Sequence, residues 1–404
     1  MVAPKRKIIN DPVYGFITIN HPLIFSILAH PYYQRLRRIT QMAMGQLVYP
    51  GAVHTRFHHS LGAYHLMGNA VNELRSKGTI ITEEEEIAVK AAILLHDIGH
   101  GPYSHALEHV VVKGVHHEAL SLQIMHEMNA AFDGQLTLAI QIFTGAYHKP
   151  FLHQLISGQL DVDRMDYLSR DSFFCGVSEG VIGYDRILKM LVVVDGQLMI
   201  EEKGIYSVEK FLVARRQMYW QVYLHKTVLS AEKMLVKILE RARSLYTNSD
   251  AAMQTQSALD YFLGTFNGSM DAFALQQFCS LDDHDIMHAI KRWSTHPDKV
   301  LSLLCSRFLT RKLYKTTIQS EPFLPATIAA KQKESIEAFN LDVSEMDYVC
   351  FTGEATNTLY QTKDERINIL FKDGSIKDIS LIDNALIHQN LSAAVKKNYI
   401  CQLL

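Results

Sequence analysis

Residues 94–105 have the sequence LLHDIGHGPYSH, in which an apolar run is followed directly by a His-Asp pair, His96 and Asp97. Apolar residues at three- and four-residue spacings precede this pair, which predicts a helix that ends beside it. We expect the helix to stop at Gly99, because glycine leaves a helix at positive φ with little steric cost. Two potential metal ligands are therefore predicted at one helix end.

The start of this helix and the rest of the N-terminal half follow from similar signals. Thr82 and Glu85 have the spacing of a capping box, which predicts a helix start at residue 83. Residues 22–239 are mainly helical by their apolar spacing. Short strands are expected at residues 17–19 and in a hairpin at residues 191–200, with its turn at Asp195-Gly196.

The sequence after residue 248 has a different pattern. We predict helices at residues 252–278 and 285–311, then strands near residues 348–359 and 367–379, the last with a turn at residues 372–374. The fold class is therefore mainly α: a helical core with small β elements and a smaller α+β C-terminal region. We divide the chain at residues 1–248 and 249–404.

Composition narrows the class of protein. The 404 residues have a formal net charge of −2, which gives no indication of nucleic acid or membrane binding. Five cysteines lie far apart without a CxxC pair, so neither a disulfide framework nor a thiolate zinc site is indicated. With no apolar signal core and no stretch of about 20 apolar residues, a cytoplasmic protein is expected.

Histidines are concentrated in one part of the chain, with 11 of the 20 between residues 54 and 126. Four segments supply imidazoles and carboxylates without thiolates, which suits a hard divalent metal ion. These segments are residues 54–60 (HTRFHHS), the pair at 96–97, residues 116–118 (HHE) and residues 161–167 (DVDRMDY). Each segment alone is weak evidence, whereas the four together predict a metal site.

The segments also resemble a known family. INDPVYG at residues 9–15, the motif at residues 57–62, HDIGHGPYSH at residues 96–105 and DVDRMDYLSRD at residues 161–171 are similar to the HD-domain phosphohydrolase superfamily. Within it, the chain resembles the deoxynucleoside triphosphate triphosphohydrolases, and the resemblance spans roughly residues 7–239. It implies an HD-domain helical core and hydrolysis of a phosphate ester.

The resemblance implies that the metal ligands are His59, His96, Asp97 and Asp163. His96 and Asp97 are adjacent at a helix end and can turn toward one point, whereas the other two must come from other helices. Such a set leaves room for water and substrate and suits Mn, Fe, Ni, Zn or Mg. The HxxxH run of residues 54–58 is not expected to bind the metal, since the family ligand directly precedes Ser60.

The same resemblance assigns the proton-transfer groups. His100, His105 and His117 match histidines that face the α-phosphate in the similar enzymes. His105 is the expected general acid, oriented by Glu108 three residues further on. For His117, a surface helix histidine is the alternative interpretation.

Substrate contacts are expected from residues on both sides of the metal ligands. Arg56 lies one helical turn before His59 and can meet a phosphate bound there. Arg164 stands where relatives often have lysine and keeps the positive charge. Tyr167 follows at i+4 from Asp163, and Asp171 and Gln41 match sugar contacts of the family.

A further wall of the substrate site is predicted on a helix of residues 207–239. Arg215, Tyr219 and Lys226 project within about 40° of one another on a helical wheel, with Tyr223 nearby. A solvated face would be the default for such residues. The match of residues 223–226 to a family motif favours a wall for triphosphate and sugar.

We therefore expect hydrolysis of a dNTP to deoxynucleoside and triphosphate by a homo-oligomer, a dimer or tetramer. Two alternatives remain open. HD sites also serve other esters, such as cyclic nucleotides or a guanosine alarmone, and a nucleotide-sensing protein with weak activity is a third possibility. The complete set of expected ligands counts against the third.

One departure from the family yields a prediction on control. The mammalian relative is activated by a guanine nucleotide, and Lys7, Gln34 and Arg37 match that region, but Ala29 replaces the carboxylate expected to bind guanine. We expect that GTP is not required for activity and that any nucleotide effector has a looser base preference. Initial rates on each dNTP with and without GTP test this; an absolute GTP requirement that is lost on changing Arg37 would contradict it.

Overall fold

The computed structural model describes residues 6–112, 114–247, 249–357, 366–382 and 395–404, without the side chains of residues 105, 109 and 357. The helices of the first part are α1 Pro22–Ala29, α2 Pro31–Gln34, α3 Arg56–Ser76, α4 Glu83–Leu95, α5 Glu108–Val111, α6 His117–Ala131, α7 Thr137–Phe143, α8 Pro150–Gln154, α9 Val162–Cys175, α10 Tyr184–Met190, α11 Ile205–Met218 and α12 Lys226–Leu245. Those of the second part are α13 Leu259–Gly264, α14 Ala272–Ser280, α15 Asp283–Trp293, α16 Lys299–Leu309, α17 Pro325–Phe339 and α18 Met346–Val349.

In the described part of the chain, the strands form three small sheets. Their bounds are β1 Lys7–Asp11, β2 Gly15–Ile19, β3 Leu191–Val194, β4 Gln197–Glu201, β5 Lys315–Gln319, β6 Cys350–Asn357, β7 Asn368–Leu370, β8 Ile376–Asp378 and β9 Val395–Gln402. The strand orders are β1-β2, β3-β4-β7-β8 and β5-β9-β6. The expected fold class, mainly α with small β elements, is confirmed.

The core that positions the site is a group of three helices. α3 packs between α4 and α9, and α4 also packs on α7. Gly62 of α3 faces α9, where a Cβ atom would lie 1.9 Å from Asp166 Oδ1, so only glycine permits this approach. The capping box of Thr82 and Glu85 at the start of α4 is confirmed, and its acidic first turn suits the helix dipole.

Gly99 was expected to have a positive φ angle. This prediction is wrong, because Gly99 is not among the glycines with positive φ. Its N–H donates to Ser121 Oγ at 2.9 Å. A Cβ atom at Gly99 would lie 2.2 Å from the His117 carbonyl oxygen and 2.3 Å from the Ser121 nitrogen. Glycine is required here because α6 packs closely against the chain that follows α4.

The predicted continuous helix at residues 207–239 is also wrong. α11 ends at Met218, residues Tyr219–Tyr223 form a π-helical turn, and α12 starts at Lys226. His225 is non-helical there, with φ −56° and ψ 130°, and caps α12, its Nδ1 accepting from the Thr227 N–H at 3.2 Å. The break removes Lys226 from the stripe that a straight helix would have given it.

The C-terminal elements were only partly predicted. The helices expected at residues 252–278 and 285–311 are each two helices, the second pair interrupted before Asp298, which caps α16. The turn at residues 372–374 lies between β7 and β8, with Gly374 at φ 83°. Strands β1, β5 and β9 and helix α17 were not predicted, and residues 358–359 of one expected strand lie outside the described residues.

The division at residue 248 stays a prediction, and several contacts cross it. β4 pairs in parallel with β7 through Ile200 and Ile369. α12 packs on α16 and on β5. In the parts of the chain that the structure describes, no helix combines the length and apolar character needed to cross a bilayer.

Close packing at Gly99 gives a stability prediction. Gly99→Ala is expected to lower the free energy of unfolding by about 1–3 kcal/mol, because the new methyl group must displace backbone atoms of α6. Gly183→Ala is the matched control, since a Cβ atom at that exposed position meets nothing within 4 Å. Denaturant unfolding of the two variants tests this, and equal stabilities would contradict it.

Candidate metal centre and polar cavity

Three of the predicted ligands converge at the centre of the helical core. His59 lies on α3, His96 follows α4 and Asp163 lies in the first turn of α9. The Nε2 atoms of the two histidines are 3.4 Å apart, and Asp163 Oδ1 lies 3.0 Å from His59 Nε2 and 3.4 Å from His96 Nε2. One ligand atom from each residue lies within 4.8 Å of the other two.

Asp97 completes the predicted set of metal ligands, but its carboxylate also contacts Arg56. Its Oδ1 lies 3.4 Å from His96 Nε2 and its Oδ2 lies 3.6 Å from His59 Nε2. The same carboxylate forms a buried ion pair with the Arg56 guanidinium. We use the name metal cluster for His59, His96, Asp97 and Asp163.

The hydrogen bonds behind the two histidines show that the cluster fits a cation. His59 Nδ1 is 2.7 Å from Asp166 Oδ2, and His96 Nδ1 is 2.6 Å from the Ile93 carbonyl oxygen. Both partners are acceptors, so each imidazole holds its proton at Nδ1. Two Nε2 lone pairs then face each other and two carboxylates, an arrangement that only a cation or additional protons stabilise.

The electrostatics of the cluster agree with this geometry. Burial lowers the pKa of His59, but hydrogen bonds with Asp163 and Asp166 outweigh it and raise that pKa to about 10. Burial opposes ionisation of Asp97, but Arg56, His96 and His59 lower its pKa to about 2. The carboxylates are therefore ionised at neutral pH and favour positive charge between them.

Sequence analysis missed the residues behind the cluster. Asp166 accepts from Arg170 Nε and Nη2, both at 3.0 Å, and Arg170 Nη1 donates to Asp11 Oδ2 at 2.8 Å. Arg170 is fully buried. Their spacing could have indicated this ion pair, because Asp166 and Arg170 lie one helical turn apart in DVDRMDYLSRD.

A polar cavity of about 520 Å³ opens beside the metal cluster. Twelve of the predicted site residues line it: Gln41, Arg56, Asp97, His100, His117, Asp163, Arg164, Tyr167, Asp171, Arg215, Tyr219 and Tyr223. Lys226 is exposed and absent from this lining, as follows from the break before α12. Glu232 of α12 also lines the cavity and was not predicted.

Asp171 is held at its place in the cavity by two neighbours. Its Oδ1 is 2.7 Å from His54 Nε2, and its Oδ2 accepts from the Tyr223 hydroxyl at 2.7 Å. His54 was set aside as a metal ligand, and it instead stacks on Phe174 and orients Asp171. His58 accepts from the Thr55 N–H at the start of α3.

The predicted proton-transfer residues lie around the loop after the metal cluster. The rings of His100 and His117 are 4.0 Å apart. Glu108 Oε1 lies 2.6 Å from His117 Nδ1 and accepts from the His117 N–H at 2.9 Å. The His105 side chain lies outside the described residues, so its pairing with Glu108 stays a prediction.

The arginines of the cavity are anchored by the protein. Arg164 Nε donates to the Gly158 carbonyl at 2.6 Å and lies 3.2 Å from Asp161 Oδ2. Arg215 Nη1 lies 3.4 Å from Gln159 Oε1. Guanidinium groups held in this way are preorganised for an anion.

Two imidazoles and two carboxylates beside a cavity lined with arginines fit the site of a phosphohydrolase. Family comparison agrees with this class. Residues 56–171 match the HD domain, and residues 182–349 match the HD associated region.

Similar proteins cover nearly the whole chain. The protein YwfO of Bacillus subtilis is 31% identical over 93% of this chain and 87% of its own length. A phosphohydrolase structure from Bacteroides thetaiotaomicron is 48% identical, with a TM-score of 0.92, over 98% of this chain and all of that chain. The deoxynucleoside triphosphate triphosphohydrolase SAMHD1 of Bos taurus is 26% identical over 100% of this chain and 73% of its own length. The chain belongs to the HD-domain family, in the branch that includes these triphosphohydrolases.

The geometry of the cluster predicts which changes remove bound metal. Asp163→Ala, and the double change His96→Ala/Asp97→Ala, are expected to lose both bound metal and hydrolysis, because the remaining ligands leave an incomplete site. Asp185→Ala, an exposed carboxylate of α10, is the control. Metal content by mass spectrometry decides, and normal turnover in a metal-depleted variant would refute the assignment.

Proposed function

We propose that the protein hydrolyses dNTPs to deoxynucleoside and triphosphate with a bound divalent metal ion. The observation that carries this proposal is the cavity itself, which is lined by Asp97 and Asp163 of the metal cluster, by three arginines and by the hydrogen-bonded pair Asp171–Tyr223. A dNTP has an anionic end that fits the arginines and a sugar hydroxyl that fits this pair. The SAMHD1 relatives are deoxynucleoside triphosphate triphosphohydrolases, which supports the same substrate class.

His59, His96, Asp97 and Asp163 would hold the ion. A divalent ion at such a site lowers the pKa of water and offsets negative charge on a phosphoryl oxygen. Mn, Fe, Ni, Zn and Mg are all compatible with these donors. The Nδ1–H bonds to Asp166 and Ile93 keep both imidazoles oriented for that task.

Different residues of the cavity bind the triphosphate and the sugar of the substrate. Arg56, Arg164 and Arg215 bind the triphosphate, aided by Tyr167 and Tyr219. Asp171 accepts from His54 and Tyr223 and still has lone pairs for the sugar 3′-hydroxyl, since a carboxylate offers about four acceptor positions. Gln41 and Tyr223 complete the sugar contacts. Lys226, which is exposed and outside the cavity lining, contacts the phosphates from a greater distance.

His105 donates the proton to the leaving oxygen in this proposal, with Glu108 as its orienting group. His100 and His117 lie side by side at the cavity, with their rings tilted by 44°, and face the α-phosphate. The Glu108 carboxylate orients the His117 imidazole through Nδ1, which directs Nε2 away from Glu108. His117 can therefore accept or donate a proton at Nε2.

A nucleotide effector and a homo-oligomer, a dimer or tetramer, belong to the same proposal. A second cavity of about 580 Å³ is lined by Lys7, Gln34 and Arg37 together with Ala29. Arg37 stacks on Phe57 and donates to Gln34 Oε1 at 2.8 Å. The cations Lys7 and Arg37 suit a phosphate group, and the Ala29 side chain adds no acceptor for guanine.

Two further features support the proposed homo-oligomer and the proposed cytoplasmic location. Phe16 of the β1-β2 hairpin is 70% exposed, as expected for a residue that a second subunit would cover. All five cysteines are free, which agrees with a cytoplasmic location. Light scattering measures the mass of the assembly.

Product analysis tests the proposed reaction. With a dNTP and Mn²⁺, the first products are expected to be deoxynucleoside and intact triphosphate, because the histidines and Arg56 surround the position next to the metal cluster where the α-phosphate would lie. Mass spectrometry of a panel of dNTPs, NTPs and cyclic nucleotides measures this. Orthophosphate or pyrophosphate as first product would contradict it, and turnover of cyclic nucleotides alone would favour a phosphodiesterase.

A further inference from the structure

A buried carboxylate from the C-terminal region reaches the loop that contains His100. Asp283 is the first residue of α15, and its Oδ1 accepts from the Tyr103 backbone N–H at 2.7 Å. Its Oδ2 accepts from the backbone N–H and from the hydroxyl of Thr40, each at 2.8 Å. One side chain therefore joins three segments that are distant in sequence.

Two of these segments hold the cavity arginine nearest the metal cluster. The Ser104 hydroxyl accepts from Arg56 Nε at 2.7 Å and donates to the Thr40 carbonyl at 3.2 Å. Arg56 in turn pairs with Asp97. A continuous path of contacts thus leads from Asp283 through Ser104 and Arg56 to a member of the metal cluster.

The loop needs support from outside because of its backbone conformation. Tyr103 and Ser104 have φ angles of 51° and 50°, in the left-handed region that side chains other than glycine rarely adopt. Such a conformation persists only where surrounding contacts determine it. The Asp283 bond to the Tyr103 N–H is a contact of this kind.

A second contact from the same region supports the same loop. The buried Arg35 guanidinium donates to the Leu281 carbonyl and to the His100 carbonyl, both at 2.7 Å. Residues 281–283 are therefore linked to the loop at two points, directly through Asp283 and indirectly through Arg35. Asp283 itself is absent from the lining of the polar cavity, so any effect on chemistry must pass through its neighbours.

We propose that Asp283 is a positioning residue of the hydrolytic site. It fixes the Tyr103-Ser104 turn, so that Ser104 directs the Arg56 guanidinium toward Asp97 and the polar cavity. The inference rests on the proposed hydrolase function, but the position of Arg56 matters for any phosphate ester. It also makes the HD associated region part of the active centre.

Asp283→Asn is the informative change because it keeps the size of the side chain. Asparagine has one acceptor oxygen, so its NH₂ group must face a donor of Tyr103 or of Thr40. Asp271→Asn is the matched control. The exposed Asp271 caps α14, accepting from the Ala274 N–H at 2.8 Å, and asparagine caps equally well.

Hydrogen exchange measured by mass spectrometry tests the contact without any substrate. In Asp283→Asn, peptides covering residues 36–44 and 97–107 are expected to exchange about tenfold faster, because the charged acceptor of their N–H groups is lost. Asp271→Asn should match the wild type. Unchanged exchange at residues 97–107 would overturn the proposal.

Steady-state kinetics test the positioning role. We expect Asp283→Asn to lower kcat by about 10- to 100-fold, the range found for groups that orient an active centre, with unchanged metal content and with most of the loss in kcat rather than KM. Combining Asp283→Asn with Ser104→Ala should cost less than the product of the two single losses. Unchanged kcat despite faster exchange, or fully multiplicative losses, would refute the role.

Two substrates distinguish a failure of the proposed dNTP hydrolysis from a failure of the proposed role of Asp283. The preferred dNTP with Mn²⁺ is used first, and bis(p-nitrophenyl) phosphate serves as a generic phosphodiester. If the wild type hydrolyses the generic ester but no dNTP, the proposed dNTP hydrolysis is wrong. The ratio of wild-type to Asp283→Asn turnover on that ester then still decides the role of Asp283.

Discussion

The hydrogen bond between His59 and the buried Asp166 is the interaction on which the metal cluster depends. Asp166 is ionised and fully buried, and its charge is compensated by Arg170, which also pairs with Asp11. Removing one member of such a buried pair typically costs about 3–5 kcal/mol, since the other charge is left without compensation. The same bond fixes the proton of His59 at Nδ1, so stability of the core and orientation of the candidate ligand have one cause.

The packing of α3 on α9 follows from this network. Gly62 leaves room for the Asp166 and Arg170 side chains between the helices, and a methyl group there would overlap both. β1 ends in Asp11, which pairs with Arg170, so the first hairpin is tied to the same centre. A single buried group of charges thus joins the N-terminal segment and two core helices to the metal cluster.

The two regions matched by family models are joined physically. Asp283 of the HD associated region accepts from the Tyr103 N–H of the HD domain, and the same region bonds to Thr40 and Arg35, which lie just before the HD domain. These contacts are buried and directional, so the second region constrains the geometry of the first. This explains why a loop with two residues in the left-handed region can persist beside the cavity.

The sequence alone determined the helical class, the start of α4 and the hairpin at β3 and β4, because capping boxes, apolar spacing and an Asp-Gly turn are local signals. It also indicated the residues that converge at the cluster, through motifs that resemble a family. Tertiary structure alone decided the break before α12, the packing role of Gly99 and the partners of Asp166 and Asp171. Those features depend on contacts between segments far apart in the chain, such as α6 against residue 99 and His54 against Asp171, and local spacing carries no information about them.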